Sequence, residues 1–121
     1  MKRLLACSVL LSLVSAPATA QNATKGANSY KLICQACHSM APGEKKPMGP
    51  NLLGIFGRKA GIDDFKYSDA MKASGLTWDA KTIDAYLAAP GKVVPGGLMS
   101  ISISDGKQRA DIIAFLKSAK K

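Results

Sequence analysis

Apolar residues recur at helical spacing in three segments of the chain, and segments rich in Gly and Pro separate them. In the first segment Tyr30, Ile33 and Cys37 fall three and four residues apart, so they share one face of a helix. Asn22 or Thr24 can cap this helix at its start. The first segment therefore predicts an N-terminal helix with one buried face.

Two further helices are predicted nearer the C-terminus. Thr77 can cap a helix over residues 78–88, which Pro90 ends. Ser104 can cap a last helix over residues 105–119, whose terminal lysines favour the helix dipole. The inward positions of the two helices are Ile83, Tyr86, Leu87, Arg109, Ile112, Ile113 and Leu116. Both helices therefore present one face to a common core.

The segments 40–61 and 91–103 are dense in Gly and Pro and predict loops, with a short helix over residues 68–74 between them. A long irregular segment is uncommon in a small domain unless it wraps a bound group. We therefore expect an all-α fold in which the N- and C-terminal helices cross near Gly26 and Tyr30. The loops should surround the bound group.

The N-terminus has the pattern of an export signal. Two of the first three residues are positively charged, residues 4–14 are mostly apolar, and Ala18 and Ala20 match the small-x-small pattern of signal peptidase sites. The apolar run is shorter than the roughly 20 residues that a permanent transmembrane helix needs. We therefore predict a cleaved signal peptide over residues 1–20 and one mature domain over residues 21–121, without a permanent membrane anchor.

The charge of the predicted mature chain favours acidic partners. Cleavage removes Lys2 and Arg3, which leaves 15 of the 17 basic residues against 8 acidic ones, a formal charge of +7. Nucleic acid is a poor candidate, because the protein is predicted to be exported and has no run of Lys and Arg with interleaved aromatic residues. Cys7 lies inside the signal and is expected to be discarded with it, so only two cysteines remain.

Those two cysteines belong to the sequence Cys34-Gln35-Ala36-Cys37-His38, which is the C-x-x-C-H motif for covalent attachment of a c-type haem. On one helical turn both thiols can reach the two vinyl groups of one porphyrin, and the imidazole can bind the iron. A thioredoxin-like pair would follow a strand, and no strand alternation precedes Cys34. A zinc site needs four ligands, and the motif offers three. The motif therefore predicts one covalent haem c with His38 as an axial ligand.

The motif leaves the second axial ligand open. His38 is the only histidine, so two histidines of one chain cannot ligate the iron. The remaining candidates are Met40, Met48, Met71, Met99, a lysine, or no ligand at all. Met40 is too close to His38 to reach the opposite face easily, and Met48 is close in sequence to the histidine side. We favour Met99, because its Pro-Gly-Gly loop lies far along the chain and can close over the other face.

With these motifs in place, the chain resembles the class I, mitochondrial-type cytochromes c and their bacterial cytochrome c2 relatives. The resemblance covers nearly the whole mature sequence and implies their small fold around one haem. It is carried by the haem motif and by Gly49-Pro50-Asn51-Leu52, Phe56-Gly57-Arg58-Lys59, Tyr67-Ser68-Asp69-Ala70 and residues 109–116.

The resemblance also implies roles for individual residues. Pro50 would pack on the imidazole and accept its N–H at the backbone carbonyl. Arg58, Tyr67 and Trp78 would bury and neutralise the haem propionates, and Tyr86 would donate a hydrogen bond to the methionine sulfur. The chain departs from the family pattern mainly around the ligand loop, at Met71, Gly97, Leu98 and Ile101.

Taken together, these features predict a periplasmic, monomeric single-electron carrier rather than an enzyme. Its acidic redox partners would be a membrane cytochrome complex, an oxidase or a periplasmic dehydrogenase. One alternative is a dedicated haem subunit of one dehydrogenase complex, which Leu98 in place of a lysine favours. The other is a haem enzyme or gas sensor, which would need an absent or labile ligand at Met99.

Overall fold

A computed structural model of the protein describes residues 21–121, and the predicted signal peptide over residues 1–20 lies outside the described residues. The described chain has no strand, only an isolated antiparallel bridge between Lys59 and Thr77. Its helices are α1 (Ala23–Ser29), α2 (Asp69–Lys72), α3 (Ala80–Ala88), α4 (Pro90–Val93) and α5 (Gly106–Ser118), and the π-helical turn Tyr30–Cys34 extends α1. The all-α prediction is therefore confirmed.

Of the two predicted caps for the first helix, Asn22 is the one used. Its side chain accepts a hydrogen bond from the backbone N–H of Lys25 (3.0 Å), which satisfies one of the free amides at the start of α1. After Ser29 the helix widens, and the backbone N–H of Gln35 donates to the carbonyl of Tyr30 (3.0 Å). Such π turns are frequent at functional sites, and this one leads directly into the cysteine motif.

The helices α3 and α5 both begin later than predicted, and an aspartate caps each. Asp79 accepts from the backbone N–H of Thr82 (2.8 Å), and the Thr82 hydroxyl accepts from the N–H of Asp79 (2.9 Å). Asp105 accepts from two backbone N–H groups in the first turn of α5 (2.9 and 3.3 Å). The predicted caps Thr77 and Ser104 were wrong, because a carboxylate slightly further along each chain segment satisfies these amides.

The segment predicted as the second loop begins with a short helix instead. Pro90 stands in the first turn of α4, where its fixed φ suits a helix and its missing N–H costs no hydrogen bond. Pro90 therefore both ends α3 and starts α4. The irregular segment that follows is tied back to α3, where the backbone N–H of Ile103 donates to the carbonyl of Leu87 (2.8 Å).

α1 and α5 cross in close contact at Gly26. A Cβ atom on Gly26 would lie 1.8 Å from the carbonyl oxygen of Asp111, so only glycine permits this approach. Beside the crossing, the rings of Tyr30 and Phe115 pack with their centroids 5.4 Å apart. The predicted crossing near Gly26 and Tyr30 is therefore confirmed.

A buried carboxylate also ties the two helices together. Asp111 accepts hydrogen bonds from the ammonium of Lys107 (2.6 Å) and from the backbone N–H of Asn22 (2.8 Å). The bond from Lys107, followed by the one from Asn22, holds the pKa of Asp111 below its ordinary value. Because the folded pKa is the lower one, this stabilisation is present above the unfolded pKa and is lost as the pH falls through the folded pKa.

The long segment between the π turn and α2 is held in place by polar bonds rather than by regular structure. The Asn51 amide donates to the carbonyls of Ala41 (2.6 Å) and Glu44 (2.9 Å). The backbone N–H of Trp78 donates to the carbonyl of Arg58 (2.9 Å). The segment thereby curves against a core that the helices build.

No helix within residues 21–121 is both long and apolar enough to cross a bilayer.

Gly26→Ala should destabilise the protein, because the added methyl group must displace the backbone of α5 at Asp111. Overpacking costs roughly 1–3 kcal/mol, and we expect about 3 kcal/mol here because the obstacle is backbone rather than a flexible side chain. Gly91→Ala is the matched control, since nothing lies within 4 Å of a Cβ there. Equilibrium denaturation measures both variants, and equal stability would contradict the crossing.

Candidate functional site

The cysteine motif continues the helical path of the π turn. The backbone N–H groups of Cys37 and His38 donate to the carbonyl of Cys34 (3.1 and 2.9 Å). Neither Cys34 nor Cys37 forms a disulfide, and both line the same cavity as the His38 ring. The structure thus brings the two thiols and the imidazole to one place.

The His38 ring is oriented by its neighbours in the loop that follows. Its Nδ1 lies 2.7 Å from the carbonyl oxygen of Pro50, and because a carbonyl only accepts, Nδ1 is the donor. Gly49 lies against the ring, where a Cβ would come within 2.7 Å of Cε1. Burial lowers the pKa of His38, the bond to Pro50 opposes this, and Lys46 adds to the lowering. The ring is therefore neutral at pH 7 and leaves Nε2 for a metal.

The thiols are not set up as a redox pair of the thioredoxin kind. Burial raises the pKa of Cys34 to about 11, and the neighbouring Cys37 adds to the rise. Attack on a disulfide needs a thiolate, which such a thiol does not supply at neutral pH. The raised pKa of Cys34 therefore argues against thiol exchange by this pair.

A mostly apolar cavity of about 360 Å³ lies between the motif, α3 and the segment around Met99. The predicted site residues in its wall are Cys34, Cys37, His38, Pro50, Tyr67, Trp78, Tyr86 and Met99. Core residues of the helices, among them Ile83, Ile112 and Leu116, complete the wall. Arg58 lies outside it, in a neighbouring and more polar cleft of about 520 Å³. Eight of the nine predicted residues thus share one cavity.

Arg58 and Tyr67 meet at a carboxylate that the sequence analysis missed. Arg58 Nη1 donates to one oxygen of Asp63 (2.6 Å), and the Tyr67 hydroxyl donates to the other. Burial raises the pKa of Tyr67, and the bond to Asp63 adds to the rise. The sequence does contain a signal for this contact, because Asp63 stands five residues after Arg58 and four residues before Tyr67.

Trp78 and Tyr86 form one buried aromatic wall of the cavity. Their ring centroids lie 5.1 Å apart, and both residues are buried. Burial raises the pKa of Tyr86, so its hydroxyl stays protonated and can donate. Among the hydrogen bonds of residues 21–121, none joins this hydroxyl to the sulfur of Met99.

Three methionines line the cavity, and their surroundings differ. Met48 precedes Gly49, which packs on the His38 ring, so Met48 belongs to the histidine side. Met71 is buried in α2 as part of the core. Met99 is half-buried in the segment between α4 and α5. Met40 packs against the core instead of lining the cavity. Met48, Met71 and Met99 therefore all line the cavity, and Met99 is the one carried by the irregular segment before α5.

The segment that carries Met99 is anchored on both sides. The backbone N–H of Gly97 donates to the carbonyl of the buried Val94 (3.0 Å). On the other side Arg109 donates to the carbonyl of Ile103 (2.8 Å) and to the carboxylate of Asp84 (2.8 Å). The sequence pattern places Arg109 only on an inward helix face, because no local pattern shows an ion pair between α3 and α5.

The residues present fit the haem that the motif predicts. Cys34 and Cys37 would hold it through thioether bonds, and His38 Nε2 is the ring nitrogen left for iron by the bond to Pro50. The walls are mainly apolar, as a porphyrin face requires, and they include Tyr67, whose hydroxyl bonds Asp63 outside the cavity. The donor set of the cavity is therefore that of an attached haem rather than of a bare metal ion.

Comparison with known proteins gives the same assignment. The family model for cytochrome c matches residues 23–120. The chain is 40% identical to cytochrome c2 from Blastochloris viridis over 119 residues, covering 97% of this chain and 93% of that protein. It is 42% identical to cytochrome c from Stellaria longipes over 102 residues, covering 83% of this chain and 94% of that protein.

A solved structure is also similar. Cytochrome cH from Methylobacterium extorquens superposes with a TM-score of 0.74 at 45% identity, covering 80% of this chain and 98% of that chain. The fold and the cavity therefore define a small haem-binding electron-transfer protein. The chain belongs to the cytochrome c family, in its class I branch, whose members are electron carriers with covalently bound haem c.

Haem should remain on the polypeptide when the mature protein is extracted with acid acetone, because two thioether bonds hold it. Met99→Ala should retain haem in this assay, since that residue is not an attachment site. A variant with both Cys34→Ala and Cys37→Ala should release any haem that it binds. The haem absorbance of the protein fraction measures the result, and release from the unaltered protein would contradict covalent attachment.

Proposed function

We propose that this protein is a periplasmic single-electron carrier with one haem c, ligated by His38 and Met99. The observation that carries the proposal is that His38 and Met99 line one apolar cavity together with both attachment thiols. When bound there, haem supplies a one-electron change at iron between Fe(III) and Fe(II). The proposal includes all nine predicted site residues. Those that would surround the haem without attaching it or binding its iron are Pro50, Arg58, Tyr67, Trp78 and Tyr86.

The chain's own residues suit such a carrier. Pro50 fixes the tautomer of His38 through the Nδ1 bond, so the imidazole does not reorient when the charge changes. The anchors at Val94 and Ile103 hold the Met99 segment at both ends. A thioether favours Fe(II) and raises the potential relative to ligation by two nitrogens. With His38 and Met99 both bound to iron, the haem would have no open position for a substrate, which would argue against an enzyme or gas sensor.

The periplasmic location is supported by the chain itself. Residues 1–20 have the charge and hydropathy pattern of an export signal. The family match begins at residue 23, close after the predicted cleavage site, which agrees with a mature domain over residues 21–121. A cleaved signal leaves no permanent anchor, and we propose a monomer.

Met99→Ala should open the second axial position and lower the reduction potential, within the roughly 0.8 V range over which axial ligands tune haem. The weak far-red absorption band of iron–sulfur ligation in the ferric protein should disappear. Optical spectra and a redox titration of the haem-bearing variant measure both effects.

Met48→Ala and Met71→Ala are the controls for this ligand assignment, since both residues line the same cavity. Each should keep the far-red band, and Met71→Ala should cost about 2–5 kcal/mol of stability because Met71 is buried in the core. If Met99→Ala keeps the band while one of the controls loses it, the ligand is that other methionine.

We further propose that the partners are acidic redox proteins: a membrane cytochrome complex, an oxidase or a periplasmic dehydrogenase. The chain's basic excess would attract them, and Lys45, Lys46, Lys66 and Lys92 are the lysines that we assign to docking. Lys46 donates to the carbonyl of Gln35 within the haem motif, so it stands beside the cavity. Lys45 pairs with Asp64, which offsets part of its charge.

A second candidate is a dedicated haem subunit of one dehydrogenase complex. The observation that favours it is a set of exposed apolar residues among those that line the cavity. Leu98 is 72% exposed, Met48 is 71% exposed and Ile101 is 50% exposed. Apolar residues that stay exposed beside the bound haem would mark an interaction site on this protein.

Electron transfer to a periplasm-facing oxidase should distinguish a diffusing carrier from a subunit. If charge attraction brings a diffusing carrier to its partner, the second-order rate of electron transfer should fall by about tenfold or more between 0.01 M and 0.15 M salt. The Debye length shrinks from roughly 30 Å to about 8 Å over this range, so the attraction is screened. Leu98→Lys should steepen this dependence, because it adds a charge at the rim of the cavity.

Ile62→Lys is the matched control for the charge at position 98. It adds the same charge at another exposed apolar residue, one that does not line the cavity. The salt dependence should change less with Ile62→Lys than with Leu98→Lys. An electron-transfer rate that does not change with salt, together with a tight complex at every salt concentration, would favour the dedicated subunit.

A further inference from the structure

Asp63 is a carboxylate in the wall of the polar cleft. Arg58 Nη1 donates to one of its oxygens at 2.6 Å, and the Tyr67 hydroxyl donates to the other. The Arg58 side chain is 11% exposed and that of Asp63 is 28% exposed, so water screens this pair only in part. Tyr67 also lines the apolar cavity, which places the carboxylate next to its wall.

The adjacent residue, Asp64, has a different environment. Its carboxylate pairs with Lys45, and their side chains are 84% and 70% exposed, respectively. Asp63 and Asp64 thus carry the same charge, but Asp63 pairs with the largely buried Arg58 whereas Asp64 lies in solvent. A charge in solvent has little effect at a distance, whereas a partly buried one is felt across the protein interior.

Arg58 is fixed in place independently of Asp63. Its two terminal nitrogens donate to the carbonyls of Asn51 (2.8 Å) and Leu53 (2.9 Å). One donor of Nη1 and the hydroxyl of Tyr67 are thus directed to Asp63. These belong to two of the three residues that the family resemblance assigns to the haem propionates, the third being Trp78. An anion supplied by the chain therefore shares the donors that would neutralise the anions of the haem.

We propose that Asp63 is a tuning residue that stabilises the ferric over the ferrous state of the bound haem. It acts through its own negative charge and by drawing Arg58 and Tyr67 away from the propionates. Reduction adds one electron from an external reductant to the iron and forms or breaks no bond in the chain. The added electron is disfavoured by a fixed anion nearby. The inference rests on the proposed function, since it needs haem in the cavity.

Asp63→Asn tests this in the haem-bearing mature protein, because it keeps the shape and removes the charge. The measurement poises each protein against a redox mediator of known potential at constant salt and pH. The ratio of ferrous to ferric haem in this variant should be roughly threefold to tenfold above that of the unaltered protein. This is the effect expected from removing a unit charge at an effective dielectric constant of about 20. Asp64→Asn removes the same charge from the adjacent position and should change the ratio by less than about twofold.

Asp63→Glu keeps the charge and should restore a ratio near that of the unaltered protein. An unchanged or lower ratio in Asp63→Asn, or equal shifts in Asp63→Asn and Asp64→Asn, would overturn the proposal and leave Asp63 as a partner that only stabilises its loop. If Asp63→Asn yields no haem-bearing protein, Asp63→Ala is measured in its place, and loss of haem in both would likewise assign Asp63 a structural role. Failure of the proposed function would look different, because the unaltered protein would then bind no haem.

Discussion

The contact between Gly26 and the backbone of α5 is the constraint on which the rest of the structure depends. It brings the first helix close enough for Asp111 to accept the N–H of Asn22 and for Tyr30 to stack near Phe115. The cavity lies on one side of this crossing, with residues of α5 in its wall. A side chain at position 26 would push the two helices apart and open that wall.

The two sides of the cavity are held by different kinds of bond. On the histidine side the positioning is local, because Pro50 lies twelve residues after His38 and bonds its ring directly. On the Met99 side the positioning is remote, since Arg109 of α5 bonds both the Asp84 carboxylate on α3 and the carbonyl of Ile103. The proposed ligand geometry therefore depends on the packing of α3 against α5 as well as on the loop itself.

Much of this arrangement follows from short-range patterns in the sequence. The haem motif, the helix faces and the crossing at Gly26 could be predicted, because each depends on spacing within a few residues or on one glycine in a helix. The caps Asp79 and Asp105 were missed, because several polar residues near each helix start could act as the cap. Which one does so depends on which side chain reaches the free backbone N–H groups. Asp63 and Arg109 were missed as partners because their roles depend on which residues the folded chain brings opposite them.

The bond between Asn22 and Asp111 joins positions 89 residues apart in the chain. A polypeptide synthesised from its N-terminus presents residues 34–38 well before α5 exists to complete the cavity. Formation of so distant a contact is slow compared with that of a single helix. The thiols and the imidazole therefore remain exposed during this interval, until the last helix completes the cavity wall.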